Sequence, residues 1–269
     1  MISRFLTALP VYNERRHVGS VLDETLRYSP DVLVVDDGST DGTGELLAQR
    51  GDIRVVTHAS NRGYGAALVS AFDYAIREGY DVLVTIDCDG QHEPRRIPQL
   101  VEACRDADVV SGSRYLKAFE GDSRPPQERK YVNRVITEEV NRRLGLQLTD
   151  AFCGFKAYRV DALRCVEVSD SGYAMPLEFW AEAVAKGLRI VEIPVPLIYL
   201  DEERSFGGSL DDMVQRLAVY RRVLDRSIHE RFAPGLAAPC SCGAISAVST
   251  SGVSPIACCC TLCCGEPQQ

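Results

Sequence analysis

The sequence predicts an α/β protein with a mostly parallel sheet flanked by helices. From residue 3 to about 113, short and nearly continuous apolar runs alternate with segments of helical spacing, the pattern of a sheet covered on both faces. The segments that follow the runs, LPVYNE, VVDDGSTDGT, ASNRGYG, IDCDGQHEP and SGSRY, are short, polar and rich in glycine or carboxylate. The chain has 269 residues, 45% apolar and 25% charged, ample for a sizeable core.

Taken in order, residues 3–9 form the first apolar run, which Pro10 closes. Residues 14–28 have helical spacing, with Val18, Val21, Leu22 and Leu26 on one face. DVLVV, 31–35, is a second buried strand, 44–50 a short helix and 53–57 a third strand. Residues 66–78 read as a helix turned inward by Leu68, Ala71, Phe72, Ala75 and Ile76. VLVTI, 82–86, and 107–111 supply two more strands, and Pro94 starts a helix between them. Residues 117–128 are charged and hold Pro125-Pro126, which predicts a mobile loop. Helices follow over 128–144, 174–186 and 210–228, with strand material at 188–200 interrupted by Pro194 and Pro196. Ligands of parallel sheets bind beyond the carboxyl ends of the strands, so the five polar loops should converge on one rim.

The net charge of −8 argues against a general nucleic-acid binder and leaves phosphates to a local site. The run from Phe5 to Leu9 is too short for an export signal. Of eleven cysteines, seven crowd into the last thirty residues, while Cys88, Cys104, Cys153 and Cys165 are scattered. Scattered, reduced thiols fit a cytoplasmic protein.

Asp87 and Asp89 end a Val-rich strand and precede Gln91. Two hard oxygen donors delivered to a rim suit Mg2+ or Mn2+; the plain alternative is a capping pair in a polar turn. Asp36, Asp37 and Asp41 share one glycine-containing loop, where an acid can accept from a ribose or base, or simply make the turn. Gly63 and Gly65 open a helix whose amides could face an anion, with Arg62 adding charge. This is neither a P-loop nor a dinucleotide fingerprint, since both spacings are missing. Cys88, a soft thiol, reads as packing. Trp180 reads as core, His92 as a bystander, and His17, His58 and His229 as surface positions.

The ordered set LPVYNE, VVDDGSTDGT, NRGYGAAL, DVLVTIDCDGQHEP, SGSRY and TDAFCGFKAYR resembles glycosyltransferase family 2 over residues 3–210, nearest the dolichyl- and polyprenyl-phosphate sugar synthases. The resemblance implies an A-type glycosyltransferase fold, a Rossmann-like sheet flanked by helices, with a nucleotide-sugar donor and Mg2+ or Mn2+. It implies that Pro10, Tyr12 and Glu14 line the base pocket and that Asp37 meets base or ribose. By the same resemblance Asp87 would lie by ribose and sugar, and Asp87, Asp89 and Gln91 would be on the metal side. Arg114 approaches phosphate or acceptor, and Arg204 matches the Arg of the family's R-x-x-G-x-S-K segment, in which Leu210 here replaces the Lys.

The expected activity is inverting hexosyl transfer from a GDP-mannose or UDP-glucose type of donor to a polyprenyl or dolichyl phosphate, as in cell-envelope glycosylation. A phosphate acceptor is already anionic; a hydroxyl acceptor needs a general base, for which Asp150 is the favoured candidate and Glu178 reads rather as a paired structural acid. The alternatives are a family-2 transferase with a polysaccharide or small-molecule acceptor, and a non-catalytic sugar-nucleotide-binding protein of the same fold. A pyrophosphorylase should carry glycines after the first strand, where this chain has PVYNERR.

The expected division is a catalytic domain over 1–230 and a Cys-rich tail over 231–269, uncharged from Phe232 to Gly265. Its composition reads as disorder, with membrane association of 244–264 or soft-metal binding by CCCTLCCG as alternatives. The expected location is the cytoplasm, with peripheral contact at the cytoplasmic face of the membrane.

Overall fold

The computed structural model of the protein describes residues 2, 4–200 and 208–232. The strands are β1 (Phe5–Val11), β2 (Val32–Asp36), β3 (Arg54–Thr57), β4 (Val82–Thr85), β5 (Val109–Ser113), β6 (Lys156–Arg159) and β7 (Ile190–Pro194). The helices are α1 (Val18–Thr25), α2 (Thr43–Ala48), α3 (Tyr64–Arg77), α4 (Ile97–Ala103), α5 (Gln127–Leu144), α6 (Val160–Leu163), α7 (Met175–Ala185) and α8 (Met213–Phe232). The tail beyond Phe232 lies outside the described residues.

The sheet runs β3-β2-β1-β4-β6-β5-β7. Every pairing is parallel except those of β6, which is antiparallel to both β4 and β5. The period-two alternation of a strand divides its side chains between two layers. Leu6, Ala8, Leu33, Val35 and Leu83 pack towards α3, α5, α7 and α8. Leu9, Val11, Val32, Val34, Val82, Val84 and Ile86 pack towards α1 and α4. Each such fully buried aliphatic side chain contributes about 1.5–3 kcal/mol relative to exposure.

β1 continues through Pro10 to Val11, two residues past the expected end. Even-numbered residues of β1 face β4, as the bond from Ile86 N–H to the Ala8 carbonyl indicates. The register with β4 stops at Ala8–Thr85. The N–H that Pro10 lacks would therefore point past the end of the ladder, where nothing is lost.

β6 has no counterpart in the sequence reading. KAYR is too short and too polar to stand out, yet Lys156, Ala157 and Tyr158 are all buried between β4 and β5. Running against its neighbours, β6 begins at the rim where they end. That places TDAFCGF beside the post-strand loops.

The segment after β5 is not the free loop expected. Asp122 accepts from the amides of Phe119 (2.7 Å) and Leu197 (2.9 Å), and Ser123 N–H donates to the Leu197 carbonyl at 2.7 Å. The carboxylate ties the loop to the segment that follows β7, which composition does not reveal.

Candidate active site

The polar loops do meet at the rim. Asn13, in the left-handed region at φ 57°, accepts from Thr40 N–H at 2.8 Å and donates its own N–H to Ser39 Oγ at 2.9 Å. Asp36 Oδ1 accepts from Ser39 N–H at 3.0 Å, and Asp41 accepts from the Thr43 hydroxyl at 2.6 Å and from Arg15 N–H at 3.1 Å. Two of the three acids in this loop are thus turn chemistry. Asp37 alone of the three lines the cavity.

That cavity holds about 570 Å3, and its lining includes Pro10, Tyr12, Glu14, Asp37, Asp87, Asp89, Gln91 and Arg114. Arg129, Phe152 and Tyr220, from the side of the sheet nearer β5, and Tyr173, stacked on Tyr64 at the start of α3, complete the part of its wall used below. Arg62 is not in the lining; its side chain is exposed, and its main-chain N–H donates to Asp37 Oδ1 at 2.9 Å. Arg204 lies outside the described residues.

At the start of α3, an anion that the amides do face is the protein's own Asp37 carboxylate. Gly63 N–H donates to Asp37 Oδ2 at 2.7 Å, and Ala66 N–H donates to the Ser171 carbonyl at 3.2 Å. Gly63 takes φ +103°, and a Cβ on it would come within 2.3 Å of the Ser171 carbonyl oxygen, so only glycine lets the loop close so tightly.

Asp87 is held from three sides. The Tyr64 hydroxyl donates to Oδ1 at 3.0 Å, His92 Nε2 lies 3.3 Å from Oδ2, and a Cβ on Gly154 would sit 2.2 Å from Oδ2. Burial pushes the Asp87 carboxyl up, but His92 and Tyr64 more than offset it and hold it below the usual range. Burial, then the neighbouring carboxylate, push the Tyr64 hydroxyl well above its ordinary value. His92 is therefore no bystander: its side chain is 5% exposed, and its Nδ1 is buried without a hydrogen-bond partner among the described residues. Behind Asp87, the buried Lys156 donates to the Cys153 carbonyl and lies 5.5 Å from the centre of the Trp180 ring. Burial pushes its ammonium below the usual lysine range. Cys88 and Trp180 are core, as expected.

Asp89 accepts from Gln91 N–H at 3.0 Å. Two carboxylates and a side-chain amide at one wall form a hard-oxygen set; a small divalent cation takes one or two carboxylates and fills its other positions with water and substrate phosphate. Among the described residues no three His, Cys, Asp or Glu side chains cluster to hold a metal. Carboxylate and amide oxygens such as these are the donor types that Mg2+ or Mn2+ takes.

Asp150, the expected base candidate, has 0% exposure and is crowded with donors. Arg114 contacts both oxygens, Asn133 Nδ2 reaches Oδ1 at 2.8 Å, and the amides of Arg114 and Phe152 add bonds at 3.2 Å. Burial pushes its carboxyl up, but the Arg114 guanidinium overrides this and holds it at about 2. Such a group keeps its charge and has no room to take a proton. Glu178 is the paired structural acid that its sequence suggests: it accepts from Ser169 and Asp170 N–H and pairs with Arg231 at 3.1 Å.

Sequence reasoning missed Tyr64, His58, Gly154 and Lys156 as members of the site. Tyr64 stands inside NRGYGAAL, where the flanking glycines carry the sequence signal and the tyrosine does not. His58 and Gly154 meet their acids, Asp37 and Asp87, only across 21 and 67 residues of sequence, and Lys156 is buried only because β6 enters the sheet.

Residues 7–167 match the model of "Glycosyl transferase family 2". The undecaprenyl-phosphate mannosyltransferase of Micrococcus luteus is 35% identical over 222 residues, 78% of this chain and 91% of that protein. The polyprenol monophosphomannose synthase of Mycolicibacterium smegmatis is 34% identical over 218 residues, 77% of this chain and 80% of that protein. Among solved structures, glucosyl-3-phosphoglycerate synthase from Mycobacterium tuberculosis, in complex with Mn2+, UDP and glucosyl-3-phosphoglycerate, superposes with a TM-score of 0.63 at 20% identity. The match covers 88% of this chain and 82% of that one, a likeness of fold.

Proposed function

The chain belongs to glycosyl transferase family 2, and from that premise we propose that it transfers a hexose, with inversion, from a nucleotide-sugar donor to a polyprenyl phosphate. One observation carries the reading. A single cavity holds Asp37, Asp87, Asp89 and Gln91 on the side of β1, β2 and β4, and Arg114, Arg129 and an aromatic wall on the side of β5. The first half suits a nucleoside diphosphate sugar. The second offers cations for an acceptor phosphate and apolar rings for the start of its chain. The relatives from Micrococcus and Mycolicibacterium are named for such acceptors, with mannose as the sugar.

In this reading Pro10, Tyr12 and Glu14 border the nucleoside, and Asp37 accepts from it. Asp87, Asp89 and Gln91 would hold Mg2+ or Mn2+, whose charge offsets that of the diphosphate. Arg114, fixed by Asp150, turns its remaining N–H groups to the phosphates. An oxygen of the acceptor phosphate attacks the anomeric carbon as the bond to the diphosphate breaks, and the attacking oxygen needs no base. Asp150 then acts through Arg114.

No helix among the described residues is long and apolar enough to cross a membrane. A polyprenyl acceptor brings the protein to the membrane surface, so contact there is peripheral in this reading, at the cytoplasmic face. Residues 1–230 form the catalytic unit.

The test is purified protein incubated with Mn2+, radiolabelled GDP-mannose or UDP-glucose, and undecaprenyl phosphate in detergent. Label should enter the organic phase with one donor. Label left in water with both, while free sugar accumulates, points to another acceptor; no metal-dependent turnover of either donor rejects the enzyme reading.

A further inference from the structure

Asp37 rests on His58 and, through it, on Ser70, neither of which lines the cavity described above. His58 follows β3, and its Nδ1 lies 2.6 Å from Asp37 Oδ1; its Nε2 lies 2.9 Å from Ser70 Oγ, in the middle of α3. The side chains of His58 and Asp37 are 5% and 4% exposed, so His58 is no surface residue as the sequence suggested. A carboxylate can only accept, which puts a proton on Nδ1; in the neutral ring Nε2 then accepts from the Ser70 hydroxyl.

Carboxylate, imidazole and hydroxyl in this order resemble a hydrolytic triad. Ser70 cannot serve as its nucleophile. It stands inside a helix whose ladder uses its N–H, and no cavity described above opens at its oxygen. What the three groups do is fix a carboxylate.

The fixing is thorough. Asp37 N–H donates to the Val11 carbonyl at 2.8 Å and His58 N–H to the Asp36 carbonyl at 2.9 Å, tying β1, β2 and β3 together behind the acid. Oδ1 receives His58 Nδ1 and the Arg62 amide, and Oδ2 receives the Gly63 amide at 2.7 Å. Each carboxylate oxygen accepts about two hydrogen bonds. Oδ1 is therefore full, and Oδ2 has one acceptor direction left, on a residue that lines the cavity.

We propose that His58 is a positioning residue for donor binding: through Nδ1, and with Ser70 steadying its far nitrogen, it holds Asp37 so that the last open acceptor direction on Oδ2 meets a hydrogen-bond donor of the nucleoside. The proposal rests on the nucleotide-sugar reading and adds a residue to it. Losing the lock frees the carboxylate to rotate, which weakens nucleotide binding without touching the reacting carbon. The effect belongs in KM and not in kcat.

Two amide variants separate the two ring nitrogens. Asn places its side-chain nitrogen near the position of Nδ1, whereas Gln places it near that of Nε2. Titration calorimetry with UDP and GDP in the presence of Mn2+ should give His58→Asn an affinity within about threefold of wild type, and His58→Gln a loss of roughly tenfold. With donor varied at fixed acceptor, His58→Gln should raise KM about tenfold and leave kcat within about twofold. Equal affinity in His58→Gln and wild type overturns the proposal, as does an equal loss in both variants. Ser70→Ala leaves Asp37 and His58 intact and should weaken binding about threefold; wild-type affinity there overturns the proposal even if His58→Gln does not fold. Wild-type protein that binds neither UDP nor GDP would instead remove the nucleotide-sugar reading itself.

Discussion

Arg114 and Asp150 face each other in a two-point ion pair, Nε 2.6 Å from Oδ2 and Nη2 2.9 Å from Oδ1, with the carboxylate wholly buried. A bidentate, charge-assisted contact is strong and directional. It aims the guanidinium along the cavity wall, and it sets a stability signature in acid.

The carboxyl is held at about 2, below its ordinary 3.8, so the pair contributes stability in full above pH 3.8 and loses it as pH falls through 2. The contribution is roughly 2 kcal/mol. Asp150→Asn should therefore be less stable than wild type by an amount that is constant above about pH 4 and shrinks below it. Urea melts at a series of pH values check this, and a difference independent of pH would reject the pair's role. Turnover of the variant should fall as Arg114 loses its aim.

Asp89→Ala should lower kcat by roughly 1,000-fold or more while the melting temperature stays within a few degrees. Manganese titration of UDP binding gives the second readout: the metal-dependent gain in affinity seen with wild type should vanish. Retained activity in this variant would take the acid out of the metal site.

Gly154→Ala places a methyl group where the Asp87 carboxylate lies, within 2.2 Å of Oδ2. Asp87 must turn away from Tyr64 and His92 to make room. Turnover should drop about 100-fold, since small displacements at the reacting centre are costly. Tyr64→Phe, which removes a single hydrogen bond to a charged group, should cost about tenfold. The order of the two, read from kcat, is the test.

Arg231→Ala removes the cation between Glu178 and Glu182, both buried, and should destabilise the fold by about 3–5 kcal/mol in urea melts. Glu178→Gln should cost less and keep turnover near wild type once folded protein is compared. Loss of turnover there, at full stability, would restore Glu178 as a base.

The first five strands, and the convergence of the loops after them, are legible in the sequence because each strand centres on a short apolar run that gives way to a polar segment. The Asp-x-Asp-x-Gln spacing and Asp37 stand out for the same reason: chemistry concentrated in a few adjacent residues. His58 does not. In THASN it looks like any polar turn, and its burial arises only when β2 and β3 lie side by side. β6 is hidden because four residues with a Lys and an Arg show no period, and its pairing with β4 joins residues more than seventy apart. Glu178 and Arg231 lie 53 residues apart, and their pairing depends on α7 and α8 packing together.

The antiparallel course of β6 has a further outcome for how this scaffold can diversify. The strands that present Asp37 and Asp87 finish at the rim, whereas β6 starts there, fed by the stretch from Gly145 to Phe155. Its outer part, residues 145–147, can lengthen, shorten or change its side chains while the register of β1, β2 and β4 stays as it is; beyond it Asp150 is committed to Arg114 and the Ala151 carbonyl to Trp180. Change on this side of the cavity can therefore be confined to a single connection, leaving the strands that carry Asp37 and Asp87 untouched. The limit is Gly154, where the stretch passes directly under Asp87 and any added side chain would push the acid aside.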